Sequence, residues 1–223
     1  MNSVTGNTRA WSYSALNAFE LCPKRYYDVS VQKRYKDQGE AMAYGMQVHS
    51  AFDLRLNRGH PFPLGMRQYE QYAKFAEDLP GQYQRTELKL GVTADYRPCE
   101  FFSSEVWCRC VVDFVKVNND VAVVIDWKTG KKKHDIDQLA LMAGVIFAHL
   151  SEVKKVVSLF VWLQENDYEK VTFTREQVPE IWGRFLERVR RFDEAFKAMD
   201  FAPRAGKLCR KYCPVISCPH HGR

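Results

Sequence analysis

The stretch Val121-Ala-Val-Val-Ile-Asp-Trp-Lys constrains the fold of this 223-residue chain more than any other. Its apolar, β-branched run reads as a strand. An acid and a base, Asp126 and Lys128, close that run two residues apart. Period-two geometry puts both side chains on one face. Burying opposite charges at the end of an apolar strand is costly unless they are paired or employed. Thr129-Gly130 then breaks the strand and leaves both charges near its open end.

The neighbouring segments extend this strand into a sheet. Asn118-Asn119-Asp120 is a hairpin turn joining it to a strand over Glu105 to Asn118, and Thr86 to Val92 adds a third strand to the meander. Asp113 interrupts Val111-Val112 and Phe114-Val115, and the turn's register sets it opposite Asp126. Two carboxylates and a lysine would then converge, as needed to hold a hard divalent cation and orient a water. Glu87 lies in the first strand of the meander, where an edge ion-pair partner is the plainer reading. His49 sits between Val48 and Phe52 on an inward helix face, where a satisfied core histidine is the commoner reading.

Around the meander the pattern is helical before and mixed after. Helices are expected over Ser12 to Leu21, Glu40 to Asn57 and Gly65 to Leu79, with a turn at Lys24 to Val31. Asp135 to Leu150 returns to helix, and Lys155 to Gln164 and Tyr168 to Thr174 form a second strand pair. Thr174 with Gln177 three places on has capping-box spacing and opens a last helix. Its stripe of Val178, Trp182, Phe185, Val189, Phe192, Phe196 and Met199 reads as core. The order predicts a mixed α/β (α+β) architecture, neither barrel nor bundle. A hydrophobic content of 46% suffices for one domain over residues 1–223, with a helical part at 12–82, a core at 83–200 and a cysteine-rich tail at 201–223.

The polar start, Met1 to Ala10, has no pattern of an export signal, and the apolar run Leu139 to Leu150 is too short to span a bilayer. A soluble, cytoplasmic protein without a membrane partner is expected. The formal charge is +6, and from Lys197 onward six basic residues face one acid, Asp200. Lys131-Lys132-Lys133-His134 directly follows the charged strand. Such clusters suit a phosphate backbone, although a solvated lysine turn looks the same. Seven cysteines in an intracellular chain favour metal ligation or burial over disulfides. Cys108 and Cys110, on the face opposite Asp113, read as buried thiols, and Cys99 offers nothing specific. Cys209-x3-Cys213-x4-Cys218 is instead a dense thiolate group with no apolar pattern around it.

Several of these pieces, in order, resemble the PD-(D/E)xK nuclease superfamily, and within it the RecB/AddB-like group that includes CRISPR-associated iron–sulfur exonucleases. Ser12-Tyr-Ser-Ala-Leu-Asn-Ala-Phe-Glu-Leu-Cys-Pro-Lys-Arg-Tyr resembles the group's opening helix, and Gly45-Met-Gln-Val-His49 its G-x-x-x-H. Asp113 falls where the family has its first metal-binding Asp, and Ile125-Asp-Trp-Lys-Thr-Gly130 resembles its [IV]-[DE]-x-K-T-G. Gln138-Leu139 resembles the start of Q-L-x-x-Y, with Met142 in place of the tyrosine.

The resemblance implies a restriction-endonuclease-like core, a central mixed sheet flanked by helices. It implies a nuclease hydrolysing DNA, single- or double-stranded, with Mg²⁺ or Mn²⁺ held by His49, Asp113, Asp126 and the Trp127 carbonyl. Lys128 would activate the attacking water, Gln138 would help place water or nucleic acid, and Glu87 would reach the site through solvent. Exonucleolytic work in DNA recombination, repair or phage DNA processing is the expected role, alongside a helicase or recombination partner. A non-catalytic DNA-binding or assembly module and an RNA nuclease are the competing readings. Cys22 occupies the position where iron–sulfur members have their first ligand, so Cys22, Cys209, Cys213 and Cys218 would hold a [4Fe–4S] cluster. Zinc suits four thiolates equally, with His220 or His221 able to replace one.

Overall fold

A computed structural model of the protein describes residues 9–36 and 39–223. Most of the polar N-terminal stretch read for an export signal lies outside the described residues. The chain forms two compact units, one from residues 40–183 and the other from the two ends, 1–39 and 184–223.

The 40–183 unit holds six strands. They are β1 (Tyr83–Val92), β2 (Pro98–Cys99), β3 (Cys108–Asn118), β4 (Val121–Lys128), β5 (Lys155–Trp162) and β6 (Asp167–Thr174), in the order β2-β1-β3-β4-β5-β6. Every pairing is antiparallel except β4 with β5, which the helix α5 (Ile136–His149) connects as a crossover. This is the expected mixed sheet with helices. The hairpin register also matches: Phe114 pairs with Ile125 and Val115 with Val124, so Asp113 and Asp126 follow directly after the last paired residues. Asn119 makes the turn in the left-handed region (φ 52°). The two-residue β2 was not anticipated, since Pro98-Cys99 is too short to carry a periodic signal.

Two helices of this unit precede the sheet in sequence. The helix α3 (Glu40–Arg58) supplies Val48, Ala51, Phe52 and Leu56 to a core that includes Phe114, Ile125, Trp127, Leu159 and Val161. Phe52 stacks on Trp127 with ring centroids 4.2 Å apart. The expected helix from Gly65 begins as a 3-10 turn (Leu64–Tyr69) and becomes α-helical only as α4 (Glu70–Asp78). The helix α5 is buried along nearly its whole length, from Leu139 to Phe147. Gly144 lets it meet the following chain closely: a Cβ there would lie 2.9 Å from Ile181 Cγ2. The Thr174/Gln177 capping box is formed, but on a 3-10 turn (Arg175–Gln177) that leads into α6 (Val178–Ala198).

The terminal unit contains α1 (Tyr13–Leu21), α2 (Pro23–Tyr26) and the greater part of α6. Ser12 caps α1 by accepting from the Ala15 N–H, and Pro23 starts α2 at the position where its missing N–H costs nothing. Phe19 and Tyr26 pack edge-on or tilted against Phe192, while Arg188 grips Glu20 through two hydrogen bonds of 2.8 and 2.9 Å. The cysteine-bearing tail follows α6 as a series of turns, in which the Gly222 N–H donates to the Cys209 carbonyl. Among the described residues, no helix is long and apolar enough to cross a membrane.

Candidate active site

Beyond the Phe114–Ile125 pair, β3 and β4 part company. The strand β3 goes on pairing with β1, and β4 with β5, as in Asp126 with Phe160 and Lys128 with Trp162. Main-chain groups at such a fork need other partners. Asp113 provides one: its Oδ2 accepts the Trp127 N–H at 2.9 Å. The sequence therefore puts a carboxylate where the sheet opens, and that carboxylate ties the two diverging strands together.

Asp126 and Lys128 project from β4 on the same side, as period-two geometry requires. Lys128 Nζ lies 2.9 Å from Asp126 Oδ1 and 3.0 Å from its Oδ2. Gln138 completes a closed triangle, donating through Nε2 to Asp126 Oδ2 (2.6 Å) and accepting from Lys128 Nζ through Oε1 (3.0 Å). It does so from the first turn of α5, where Asp135 caps the helix by accepting from the Gln138 N–H. Met142, one turn on from Gln138 and standing where the resembled motif has tyrosine, is buried. The Phe160 ring beneath Lys128 Nζ, 4.6 Å away, gives the ammonium an apolar but electron-rich floor. Burial, then the charge of Asp113, pushes the Asp126 carboxyl up to about 6 against the opposing pull of Lys128 and His49.

His49 comes from α3. Its Nδ1 lies 3.2 Å from Asp113 Oδ2 and 3.8 Å from Glu87 Oε1. Gly45, one helical turn earlier, permits the approach: a Cβ there would lie 3.3 Å from Thr129 Oγ1 in the segment that ends β4. Burial draws the His49 pKa down, but hydrogen bonds to Asp113 and then Glu87 outweigh it and raise it to about 10. Among the described residues, His49, Glu87 and Asp113 form the one group whose ligand atoms all lie within 4.8 Å of one another. A nitrogen and two carboxylate oxygens at that spacing fit a divalent cation.

The structure thus brings His49, Glu87, Asp113, Asp126, Lys128 and Gln138 into one continuous network, with two differences from the sequence reading. Glu87 stands directly against His49 instead of reaching the site through solvent. Asp126 is engaged by Lys128 and Gln138, whereas Glu87 takes its place in the compact ligand group. Trp127 contributes a buried side chain to the core. Cys110 is buried as expected, yet the charges of Asp126 and Asp113 add to burial in raising its thiol to about 12. Simple alternation along β3, which set Cys110 on the far face, therefore does not isolate it electrostatically from those acids.

Two supporting features escaped the sequence reading. Glu87 adopts a left-handed backbone (φ 45°) opposite Asp113, while the pairs on either side, Thr86 with Phe114 and Leu88 with Val112, keep one register. A non-glycine residue in that region is strained. Beside it, Asp53 accepts hydrogen bonds from the Thr86 hydroxyl and from Asn57 Nδ2, fastening α3 to β1 one turn after His49. Neither has a signal in sequence, since both depend on which strand α3 meets.

The four expected cluster cysteines all belong to the terminal unit and none forms a disulfide. Cys22, Cys209 and Cys213 line one cavity of about 50 Å³ together with Arg25, Arg204 and Lys207. The Arg204 N–H donates to Cys22 Sγ at 3.4 Å. Cys218 lies in the turn where its own N–H donates to the Val215 carbonyl (3.1 Å). The thiols are spread more widely than the 4.8 Å group at His49.

The sequence of the chain matches the family model of the PD-(D/E)XK nuclease superfamily over residues 10–219. The chain belongs to that superfamily. PD-(D/E)XK nucleases generally use divalent metals, so the cation-sized group of His49, Glu87 and Asp113 has a family context. Among solved structures, a candidate exonuclease from Eubacterium rectale is similar to this chain at 14% identity, covering 94% of this chain and 91% of that one, with a TM-score of 0.56. The structure of SSO0001 is similar at 15% identity over 98% and 90%, with a TM-score of 0.49. No curated protein matches. For this PD-(D/E)XK chain, phosphodiester hydrolysis and nucleic-acid binding follow from the family.

Proposed function

We propose that this chain is a Mg²⁺- or Mn²⁺-dependent deoxyribonuclease, a single nuclease domain over residues 1–223. We further propose that it acts as an exonuclease in DNA recombination, repair or phage DNA processing, beside a helicase or recombination partner. The observation that carries the reading is the meeting of Asp113, Asp126 and Lys128 at the fork between β3 and β4, with His49 and Glu87 alongside. The Eubacterium rectale protein's description as a candidate exonuclease points the same way.

His49, Glu87, Asp113 and Asp126, with the Trp127 carbonyl, are the groups that would hold the metal. When bound, the metal would supply Lewis-acid stabilisation of the phosphate and a more acidic water. The chain's own residues account for the rest. Lys128, fixed by Asp126, Gln138 and the Phe160 ring, presents a positive charge where negative charge builds on the phosphoryl oxygens. Asp126, held by Lys128 and Gln138 at the end of β4, keeps Lys128 aimed at the position where the attacking water would be activated. Gln138, bound to both at once, would help place that water or the nucleic acid.

The four cysteines are proposed to hold a [4Fe–4S] cluster. Three already line one cavity, and Arg25, Arg204 and Lys207 around it would offset the negative charge of an all-thiolate site. Zinc on the same thiolates is the alternative, with His220 or His221 able to replace one of them.

The test is EDTA-sensitive cleavage of end-labelled DNA by the whole chain. Asp126→Ala and Lys128→Ala should each lose on the order of 10³-fold in rate while keeping the wild-type circular dichroism spectrum. Wild-type protein that leaves single-stranded, double-stranded and nicked DNA intact but still binds it would establish a non-catalytic module; cleavage confined to RNA would overturn the substrate.

A further inference from the structure

We propose that a cavity between α4 and the β5–β6 hairpin binds an unstacked nucleobase of the polynucleotide. The proposal rests on the nuclease reading for the origin of its ligand. The cavity encloses about 500 Å³, within the usual range for a small-ligand site. Tyr72 and Phe75 from α4, Leu159 and Val161 from β5, and Tyr168 and Lys170 from β6 form its walls. Leu159 and Val161 alternate with Phe160, which lies under Lys128, so the cavity is on the other face of the sheet from the Lys128 ammonium.

Its chemistry is selective. Phe75 and Tyr168 are 45% and 62% exposed, two large rings left in water at the border of the same cavity. Flat aromatic walls over an aliphatic floor suit a flat π-system, because base–aromatic stacking tolerates any base. The rim is polar in the way a base edge requires. The Tyr72 hydroxyl donates to Asn166 Oδ1 at 2.8 Å, which leaves the Asn166 amide N–H₂ group as a donor. Asp167 beside it is already engaged, its Oδ1 accepting the Tyr168 N–H at 2.7 Å.

Charge completes the argument for a polynucleotide. Lys132 Nζ binds Asp167 Oδ2 at 2.6 Å, and the Lys132 main-chain N–H donates to Glu165 Oε1 at 2.8 Å. The segment Lys131-Lys132-Lys133, which leaves β4 directly after Lys128, is thereby fastened to the cavity's rim. Lys131 and Lys133 stay exposed, and Lys170 adds a charge to the lining. An apolar protein segment would gain nothing from those lysines, whereas a sugar–phosphate chain would run over them as its base enters the cavity.

The experiment compares a fluorescent thymidine oligonucleotide with an abasic one of equal length, by anisotropy in EDTA, on wild type and on Phe75→Ser and Tyr168→Ser. The wild type should bind the thymidine strand about tenfold more tightly, and each substitution should erase most of that preference without changing affinity for the abasic strand. Hydrolysis of bis(p-nitrophenyl) phosphate, which has no base, should be unaffected by either substitution. Equal binding by wild type and variants overturns the proposal, as does a change in native mass without a change in affinity, which would mark a protein interface. A wild type that prefers the thymidine strand through Tyr168 but cleaves no DNA with Mg²⁺ or Mn²⁺ would sink the nuclease reading and leave the base site standing.

Discussion

The two candidate metal centres differ in how their ligands are brought together. The hydrolytic group draws on a helix and three strands of the 40–183 unit, so each side chain is placed by an element with its own reason to exist. The cysteine group draws on a helix junction at Cys22 and a tail made of turns, with little hydrophobic burial beyond Val215. The first arrangement is built before any ion arrives. The second, on the proposed reading, would take its rigidity from the cluster, because turns without a packed core have little else to offset their chain entropy. Removing ligands should therefore fail in opposite ways at the two places.

That contrast gives the largest expected effect. Lys128→Ala should lose on the order of 10³-fold in cleavage and leave the brown colour and iron content of anaerobically purified protein unchanged, although its midpoint should fall because Asp126 is left buried without its partner. Cys213→Ala should lose the absorbance near 400 nm and most of the bound iron, and its midpoint should fall by several degrees. Iron analysis and a cleavage assay on the two variants decide the matter. Colourless wild-type protein with stoichiometric zinc would keep the comparison and replace the cluster. Equal iron content in both variants would break the comparison itself.

How much of this was legible in the sequence also differs between the regions. The run Val121 to Lys128 announces its strand, and the turn at Asn118 to Asp120 fixes the register that sets Asp113 beside Asp126, because both are local patterns. Asp53 and the left-handed Glu87 were not legible, because their roles exist only once α3 has docked on β1. Glu87 was noted for its charge, and its backbone conformation carries no signal. The alternation that assigned Cys110 to the far face of β3 overlooked the fork, where the charges of Asp113 and Asp126 still reach it. In the tail, cysteine spacing was the whole of the signal.

Asp53 offers a smaller, sharper test of preorganisation at the first site. It touches none of the expected metal ligands and acts through Thr86 and the position of α3, which makes it a positioning residue. Asp53→Ala should raise the Mg²⁺ concentration for half-maximal activity by about 10- to 100-fold, the range seen when supports of metal ligands are removed. The rate at saturating Mg²⁺ should recover most of its wild-type value, and Asp53→Asn should be milder. A loss of maximal rate with no shift in the metal titration would make Asp53 part of the reaction instead.

Proton linkage distinguishes the regions further. In the metal-free protein His49 has a pKa raised to about 10 by Asp113 and Glu87. Its contribution to stability is complete below its unfolded value near 6.5 and is lost as pH rises through about 10. Asp126, raised to about 6, contributes below its unfolded value near 3.8 and loses that contribution as pH rises through about 6. A cation bound by these groups must displace the His49 proton. Metal binding at pH 7.5 should accordingly release about one proton, seen in titration calorimetry as a heat that varies with the buffer's ionisation enthalpy. Heats that are independent of buffer would show that metal binding displaces no proton from His49.

The smallest effect concerns Glu87, where stability and metal holding pull apart. Its left-handed φ of 45° costs an ordinary side chain roughly 1–2 kcal/mol, and glycine almost nothing. Glu87→Ala and Glu87→Gly remove the same carboxylate, so both should weaken metal binding alike. They should differ in the melting of metal-free protein, with the glycine variant more stable by about 1 kcal/mol. If alanine matches glycine, the backbone at residue 87 relaxes when its carboxylate is gone. The contact with His49, and not the chain around it, would then hold that strand in its strained form.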